Sequence, residues 1–335
     1  MRLISLFILV LFMFFSITYT SAQYFSFPHE NPVELGKVKW LRDYDLAIHE
    51  AKIKKLPVFI LFQEVPGCSN CTTYGNNILS NPLIVETIES CFVPLCIYNN
   101  TDGKDRKVLN KYNEPIWNNP VIRITDKDGN NIVPRQPEFS KMSNILSTMI
   151  DGLGKSGQSV PKYLQLLYDE ESAKEEGLIA EAYFSMYCFW SGEKEIAGIP
   201  GVLATEAGFM HGKEVVSIRY RSDKISLDDL YAQSKKLGCG DDVYGGIQAG
   251  AHLKIKPLGI YRKDKEDKYY LYNSEYKVIP MTNLQKTKVN RMLALGQKPD
   301  SLLSPKQLSI LRSKSKSVSH ISDRMEDVWW SGTVQ

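Results

Sequence analysis

Val65-Pro66-Gly67-Cys68-Ser69-Asn70-Cys71 follows, two residues on, the apolar run Pro57-Val58-Phe59-Ile60-Leu61-Phe62. Together these two stretches decide the fold of the first half of the chain. A short apolar run closed by a Pro-Gly turn reads as a buried strand. The two cysteines, three apart, then open the following helix. There the helix dipole and the neighbouring thiol both favour a thiolate on Cys68. A strand, a Cys-x-x-Cys turn and a helix make a redox device first and a metal site second.

The start of the chain sharpens that choice. Arg2 precedes a nearly unbroken apolar stretch from Leu3 to Ile17, and Thr18-Tyr19-Thr20-Ser21-Ala22 supplies small residues. This is the pattern of a secretory signal over residues 1–22, cleaved after Ala22. An uncleaved anchor is the competing reading, for which the stretch is short. The mature protein is expected in an oxidising space, secreted into the periplasm, without a stable membrane span. A Cys-x-x-Cys there forms a disulfide or is kept reduced by a dedicated thiol donor of the envelope.

Composition bounds the rest. The 335 residues are 43% hydrophobic and 24% charged, an ordinary globular make-up with material for two cores. The net charge of +3 and the lack of a long basic run make nucleic acid an unexpected partner. Six cysteines are too few for a disulfide-dense scaffold, so each is weighed singly.

Upstream of the Cys pair, Val38 to Lys54 carries Trp40, Leu41, Tyr44, Ala47 and Ala51 among charges, the spacing of an amphipathic helix. Downstream the pattern predicts a helix over 72–90 interrupted at Asn81-Pro82, a strand over Phe92–Ile97, a helix over 105–112 and a strand Val121–Ile124. The turn Asp126-Lys127-Asp128-Gly129 and a helix from Phe139 to Ile150 complete this half. Alternating strands and helices over residues 30–151 argue an α/β sheet with helices on its faces.

This succession resembles the thioredoxin fold over about 115 residues. The corroborating residue is Pro120, which stands where that family carries a cis-proline whose backbone pairs with a substrate thiol. The resemblance implies a cis Asn119–Pro120 bond and a substrate-binding role for Pro120. The alternative is that Pro120 merely starts a strand. Val65-Pro66-Gly67-Cys68 is also similar to a secreted thioredoxin-like family in which the first position can be selenocysteine. Members often end the motif with threonine where this chain has Cys71. Cys91 and Cys96, five apart across a strand, project to opposite faces and read as buried free thiols. A zinc site built from Cys68, Cys71 and either of them lacks a nearby histidine. Neither a metal nor a cofactor is therefore expected.

Gly152 to Pro161 reads as a Gly/Ser linker and Lys162 to Glu175 as a charged helix, so residues 152–175 are expected to join two domains. Then come a strand Ile179–Tyr187, a helical element from Cys188 to Glu193, strands Leu203–Phe209 and Glu214–Tyr220, and a helix Leu227–Leu237 capped by Ser226 and stopped by Gly238. The order β-α-β-β-α is that of a ferredoxin-like α+β sheet over residues 176–300. Beyond it, Tyr269–Tyr272 is expected as a strand and Thr282 to Leu295 as a capped helix. Its Gln285, Lys288 and Asn290 have no assignable task. Residues 301–335 read as a tail, with Arg312–Ser317 disordered.

Cys188-Phe189-Trp190-Ser191-Gly192-Glu193, Ile199-Pro200-Gly201-Val202, Thr205-Glu206-Ala207-Gly208, Glu214-Val215-Val216 and Ile225-Ser226 resemble methionine sulfoxide reductase A, in order. The resemblance implies that Cys188 attacks a sulfoxide sulfur while Phe189 and Trp190 form the methyl pocket. Packing of all three in a core is the competing reading. A helix N-terminus and an apolar aromatic pocket suit the first role. The departures are clear. Phe209 replaces a tyrosine that polarises the sulfoxide, and the long loop with a catalytic glutamate is missing. The downstream aspartate and tyrosine motif is also unrecognisable. His211 or Glu214 would have to stand in as proton donor, each being as easily a surface residue. Cys239, in the loop Leu237–Asp242, is expected to be mobile. It either resolves a sulfenic acid on Cys188 or fills space behind a helix stop.

The sequence thus predicts a thiol-dependent oxidoreductase of the cell envelope, with a thioredoxin-like domain serving a methionine sulfoxide reductase A-like domain. Its partners would be oxidised proteins or methionine sulfoxide and an envelope thiol donor. A thiol–disulfide reductase or isomerase whose second domain only binds clients is the alternative. A structural pair of domains with a static Cys68–Cys71 disulfide is the third reading.

Overall fold

The computed structural model describes residues 31–117, 120–137, 140–245, 252–314 and 325–330. The expected signal segment and the Asn119–Pro120 bond lie outside the described residues. In chain order the elements begin with α1 (Tyr44–Lys54), β1 (Val58–Gln63), α2 (Ser69–Asn77), α3 (Pro82–Cys91) and β2 (Val93–Tyr98). Then follow α4 (Lys104–Tyr112), β3 (Val121–Thr125), α5 (Met142–Lys155) and α6 (Lys162–Glu175).

All six residues of β1 are buried, as a central strand covered on both faces requires. It pairs in parallel with β2 and antiparallel with β3. Side chains alternate across a strand. Phe59 and Leu61 accordingly join a core with residues of α2, α3, α5 and α6. Val58, Ile60 and Phe62 join the opposite core with residues of α1 and α4.

Three expectations for this half change. The first helix starts at Tyr44, not Val38, because Asp43 caps it by accepting the Leu46 N–H at 3.1 Å. Leu41 is instead extended beside β2, donating to Pro94 O at 2.9 Å and accepting from Cys96 N at 3.0 Å. The expected linker is also absent at its start, since α5 runs through Gly152 to Lys155. A side chain at Gly152 would meet Ile124 Cδ1 at 2.7 Å, so this glycine permits close packing on β3 rather than ending the helix. Finally, α6 is not a free connector: Tyr163, Leu164 and Leu167 belong to the first core. Its Glu175 caps α5, accepting the Met142 and Ser143 N–H groups at 2.6 and 3.1 Å.

The second sheet comprises β4 (Ile179–Ser185), β5 (Val202–Met210), β6 (Lys213–Arg221) and the two-residue β7 (Val243–Tyr244), β8 (Ile255–Lys256) and β9 (Arg262–Lys263). Helix α7 (Phe189–Ile196) connects β4 to β5, and α8 (Leu227–Lys236) follows β6. The order is β8-β7-β4-β6-β5-β9. Both β4 and β5 run antiparallel to β6, so they are parallel to each other with α7 as the crossover. A separate core gathers Phe184, Val216 and Ile218 of the strands with Phe189, Ile196, Leu227 and Leu230 of the two helices. The described residues from Asn31 onward nonetheless form one compact unit.

The C-terminal part holds α9 (Tyr269–Tyr272), α10 (Asn283–Ala294), α11 (Pro305–Lys314) and α12 (Met325–Trp330). Tyr269–Tyr272 is therefore a helical turn, not a strand. Arg312 lies in α11, so the expected disorder does not begin there, and residues 315–324 fall outside the described residues. The supposedly idle polar residues of α10 are structural pins. Gln285 Nε2 donates to Leu302 O at 3.0 Å, and Asn290 Oδ1 accepts the Leu271 N–H at 3.0 Å. No described helix is long and apolar enough to cross a membrane.

Candidate functional site

Cys68 is the N-cap of α2, extended at φ −74° and ψ 177°, and it is exposed, whereas Cys71 is buried one turn in. Their sulfurs lie 3.8 Å apart. The Cys71 backbone N–H, and with it that of Asn70, holds the Cys68 thiol below its ordinary value, against the opposing effect of burial. Burial, followed by the adjacent Cys68, pushes the Cys71 thiol up to about 11. Helix-start N–H groups stabilise a thiolate and an apolar environment penalises one, so the two thiols are driven apart in acidity.

The turn that presents the pair is anchored on three sides. Gly67 N–H donates to Glu34 Oε1 at 2.8 Å. Asn100 accepts the Val65 N–H at 3.3 Å and donates to Pro66 O at 3.2 Å, across a cis Val65–Pro66 bond. Buried Gln63 donates to Glu34 O at 2.7 Å and Cys71 O at 3.3 Å. Glu64 completes the group: one carboxylate oxygen and the two sulfurs all lie within 4.8 Å of one another. Sequence reasoning missed Glu34, Glu64 and Asn100. Only Glu64 left a signal, as a carboxylate at the end of an apolar strand four residues before the first cysteine.

Pro120 is buried, and Val121 after it stands opposite Phe62 in the register. That places Pro120 at the end of the sheet from which the Cys turn departs. Cys91 and Cys96 are both free. Cys96 is buried as expected, whereas Cys91 is only half-buried. Burial makes each thiol a weaker acid, pushing Cys96 up to about 12, which disfavours the thiolate that reacts.

In the second half, Cys188 is the N-cap of α7 and half-buried. Beside it the Phe189 N–H donates to Glu214 Oε2 at 2.8 Å, so Glu214 is a helix cap at this site rather than a surface residue. Phe189 packs edge-on against Phe209 at 5.2 Å and tilted on Trp190 at 5.5 Å. Trp190 is stacked on Tyr269 at 4.2 Å, and its indole nitrogen is buried without a hydrogen-bond partner. Tyr269 comes to this cluster from 79 positions beyond Trp190 in the sequence, and nothing local announces it. His211 turns elsewhere, to Pro257 O at 3.3 Å and the Tyr244 ring at 5.5 Å.

Cys239 departs from the expected mobile setting. It is 6% exposed, within the apolar core beside α8. Its N–H bonds to Ser234 O at 2.9 Å, closing the helix end. Burial chiefly raises its thiol, with Cys188 among the neighbours adding to the rise.

No family model matches the chain, and no curated protein matches it. Among solved structures, an oxidoreductase described as DsbH is similar over 37% of this chain and 90% of its own, at 16% identity and a TM-score of 0.31.

Proposed function

We propose that the protein is a thiol–disulfide oxidoreductase whose reacting pair is Cys68 and Cys71. The carrying observation is the opposed state of two thiols 3.8 Å apart, one exposed and held toward thiolate, the other buried and held protonated. In the reducing direction the Cys68 thiolate attacks one sulfur of a client disulfide. A Cys68–client bond forms, the client bond breaks, and the leaving sulfur departs as thiolate. Cys71 then loses its proton, attacks Cys68 Sγ, and releases the second client sulfur. Two electrons pass from the pair to the client. Pro120, at the same end of the sheet, is the residue whose backbone would align the client. With dithiothreitol as donor the protein is expected to reduce insulin. Cys68→Ser should abolish turnover, and Cys71→Ser should trap a mixed disulfide. Turnover that survives Cys68→Ser sinks the assignment.

The finer reading assigns a thioredoxin-like half that serves a methionine sulfoxide reductase A-like half. It is supported by the β7-β4-β6-β5 order with its α7 crossover, by Cys188 at a helix start and by the aromatic wall beside it. Cys188 attacks the sulfoxide sulfur, takes the oxygen as sulfenic acid and frees the thioether. Cys239 attacks that sulfenic sulfur and water leaves. Cys68 then opens the Cys188–Cys239 disulfide, aided by the high effective concentration of a tethered partner. Because Cys239 is buried, its step requires the 237–242 loop to open. That burial favours the second reading, in which this half only holds clients. Methionine sulfoxide turnover lost in Cys188→Ser supports the first. Insulin reduction without any sulfoxide turnover supports the second.

A further inference from the structure

We infer that Glu64, Cys68 and Cys71 form a binding site for Zn2+; the binding stands on the geometry alone, and only its effect on reactivity rests on the redox reading above. Two sulfurs each about 2.3 Å from one tetrahedral ion stand about 3.8 Å apart, and the Cys68 and Cys71 sulfurs are 3.8 Å apart. A disulfide bond would require about 2.05 Å, so the reduced pair already has the spacing of a zinc dithiolate. A carboxylate oxygen bound at about 2.0 Å would lie about 3.5 Å from each sulfur. The Glu64 oxygen lies within 4.8 Å of both, so the carboxylate has to draw in as the ion binds. Among the described residues, no other group of three His, Cys, Asp or Glu side chains gathers its ligand atoms in this way.

The donor set suits the ion. Zinc, a borderline ion, accepts both soft thiolates and a harder carboxylate oxygen, and three protein ligands leave a fourth position for water. The dithiol half of the site is preformed. The Gly67 N–H to Glu34 bond and the Asn100 bridge to Val65 and Pro66 hold the turn, while Cys71 is the buried residue of the first turn of α2. Preorganisation leaves little ordering cost for the ion. On binding, each thiol gives its proton to solvent as its metal–sulfur bond forms. With both sulfur atoms engaged in metal bonds, neither is a free thiolate able to attack a client or its neighbour until the ion leaves. The site would hold the pair in a protected, silent state.

The test uses the reduced full chain with Zn2+ measured by competition against a chromophoric chelator, and Co2+ as the optical probe. One Zn2+ per chain is expected, together with thiolate charge-transfer and tetrahedral ligand-field bands for Co2+. Cys68→Ser, at an exposed position, should lose binding, and Glu64→Gln should weaken it roughly tenfold or more. Cys91→Ser should leave it unchanged, and the oxidised protein should bind none. Wild-type affinity in Glu64→Gln would overturn the site, as would retention in Cys68→Ser or an octahedral cobalt spectrum without thiolate bands. Circular dichroism of each variant separates lost binding from lost folding.

Discussion

Lys288 Nζ lies 2.7 Å from the carbonyl oxygen of Ala197, the residue that closes the helix opened by Cys188. One turn along α10, Arg291 NH1 reaches Lys194 O at 2.8 Å. A side chain at Gly198 would stand 2.5 Å from that guanidinium carbon, so the glycine makes room for it. Two cations on the last carbonyls of α7 satisfy orphan acceptors and oppose the negative end of the dipole. Glu214 does the converse at the other end. The cysteine-bearing helix is thus held at both ends by residues remote in sequence.

Lys288 carries a pH signature. Burial pushes its ammonium from the ordinary 10.5 down to about 8. A depressed folded value means that the folded chain binds fewer protons than the unfolded one between about pH 8 and 10.5. The stability contributed by this group is therefore full above the upper limit and is lost as pH falls through the lower. Relative to Lys288→Met, the wild type should gain about 1–3 kcal/mol across that window. Urea midpoints of the two proteins at pH 8 and pH 10 provide the check, and a difference that stays flat refutes the assignment.

Glu193 has the opposite sign. Its carboxylate is fully buried against Lys268 at 3.3 Å, with Thr205 at 3.4 Å. Burial raises its carboxyl from 4.5 to about 7, against the pull of Lys268. The folded chain then holds an extra proton between about pH 4.5 and 7. This contribution is full below pH 4.5 and is lost as pH rises through 7. In Glu193→Gln that segment of the stability profile should flatten. Chemical denaturation at half-unit intervals reads it directly, and an unchanged slope would show that Lys268 keeps Glu193 ionised throughout.

What the sequence made legible follows the range of the forces involved. The Cys turn, the strand before it and the helix after it are local, and periodicity and turn chemistry place them. The capped start at Thr282 is local too, and Thr282 Oγ1 accepts the Gln285 N–H as its spacing predicts. Gln285, Lys288 and Asn290 gave no sign of their roles because their partners lie 17, 91 and 19 positions away. Cys239 misled for a related reason. Gly238 and Gly240 both sit at positive φ, which reads as a loose loop, yet the turn they make folds the thiol inward. Glu64 shows the reverse: its position was visible, but its nearness to both sulfurs depends on the shape of the turn.

Gly67 sets the geometry of that turn. A Cβ there would come within 2.6 Å of Cys71 Cβ, 3.0 Å of its sulfur and 2.4 Å of Glu64 O. The obstructing atoms are backbone and a short buried side chain, neither of which can swing aside. Gly67→Ala should cost about 1–3 kcal/mol by overpacking. It should also separate the sulfurs, slowing disulfide formation by a mild oxidant at least severalfold. Thermal unfolding together with timed thiol titration measures both, and a variant that oxidises at the wild-type rate contradicts this account of the turn.

The last prediction concerns the far end of the chain. Trp329 is 4% exposed and belongs to the core of the first half, with Tyr163 and Ile310. Lys306 Nζ donates to Trp329 O at 2.9 Å and lies 5.2 Å from its ring centroid. The Lys306 N–H in turn reaches Glu86 of α3 at 2.6 Å. A buried indole on this surface makes the C-terminal helix part of the fold rather than a tail. Truncating it removes a large apolar area and leaves a cavity that α3 cannot fill. Trp329→Ala should therefore cost about 3–5 kcal/mol in guanidinium unfolding. Trp330→Ala, at a position 38% exposed, should cost under about 1 kcal/mol. Equal, small effects of the two changes would mean that α12 does not rest on the first core in solution.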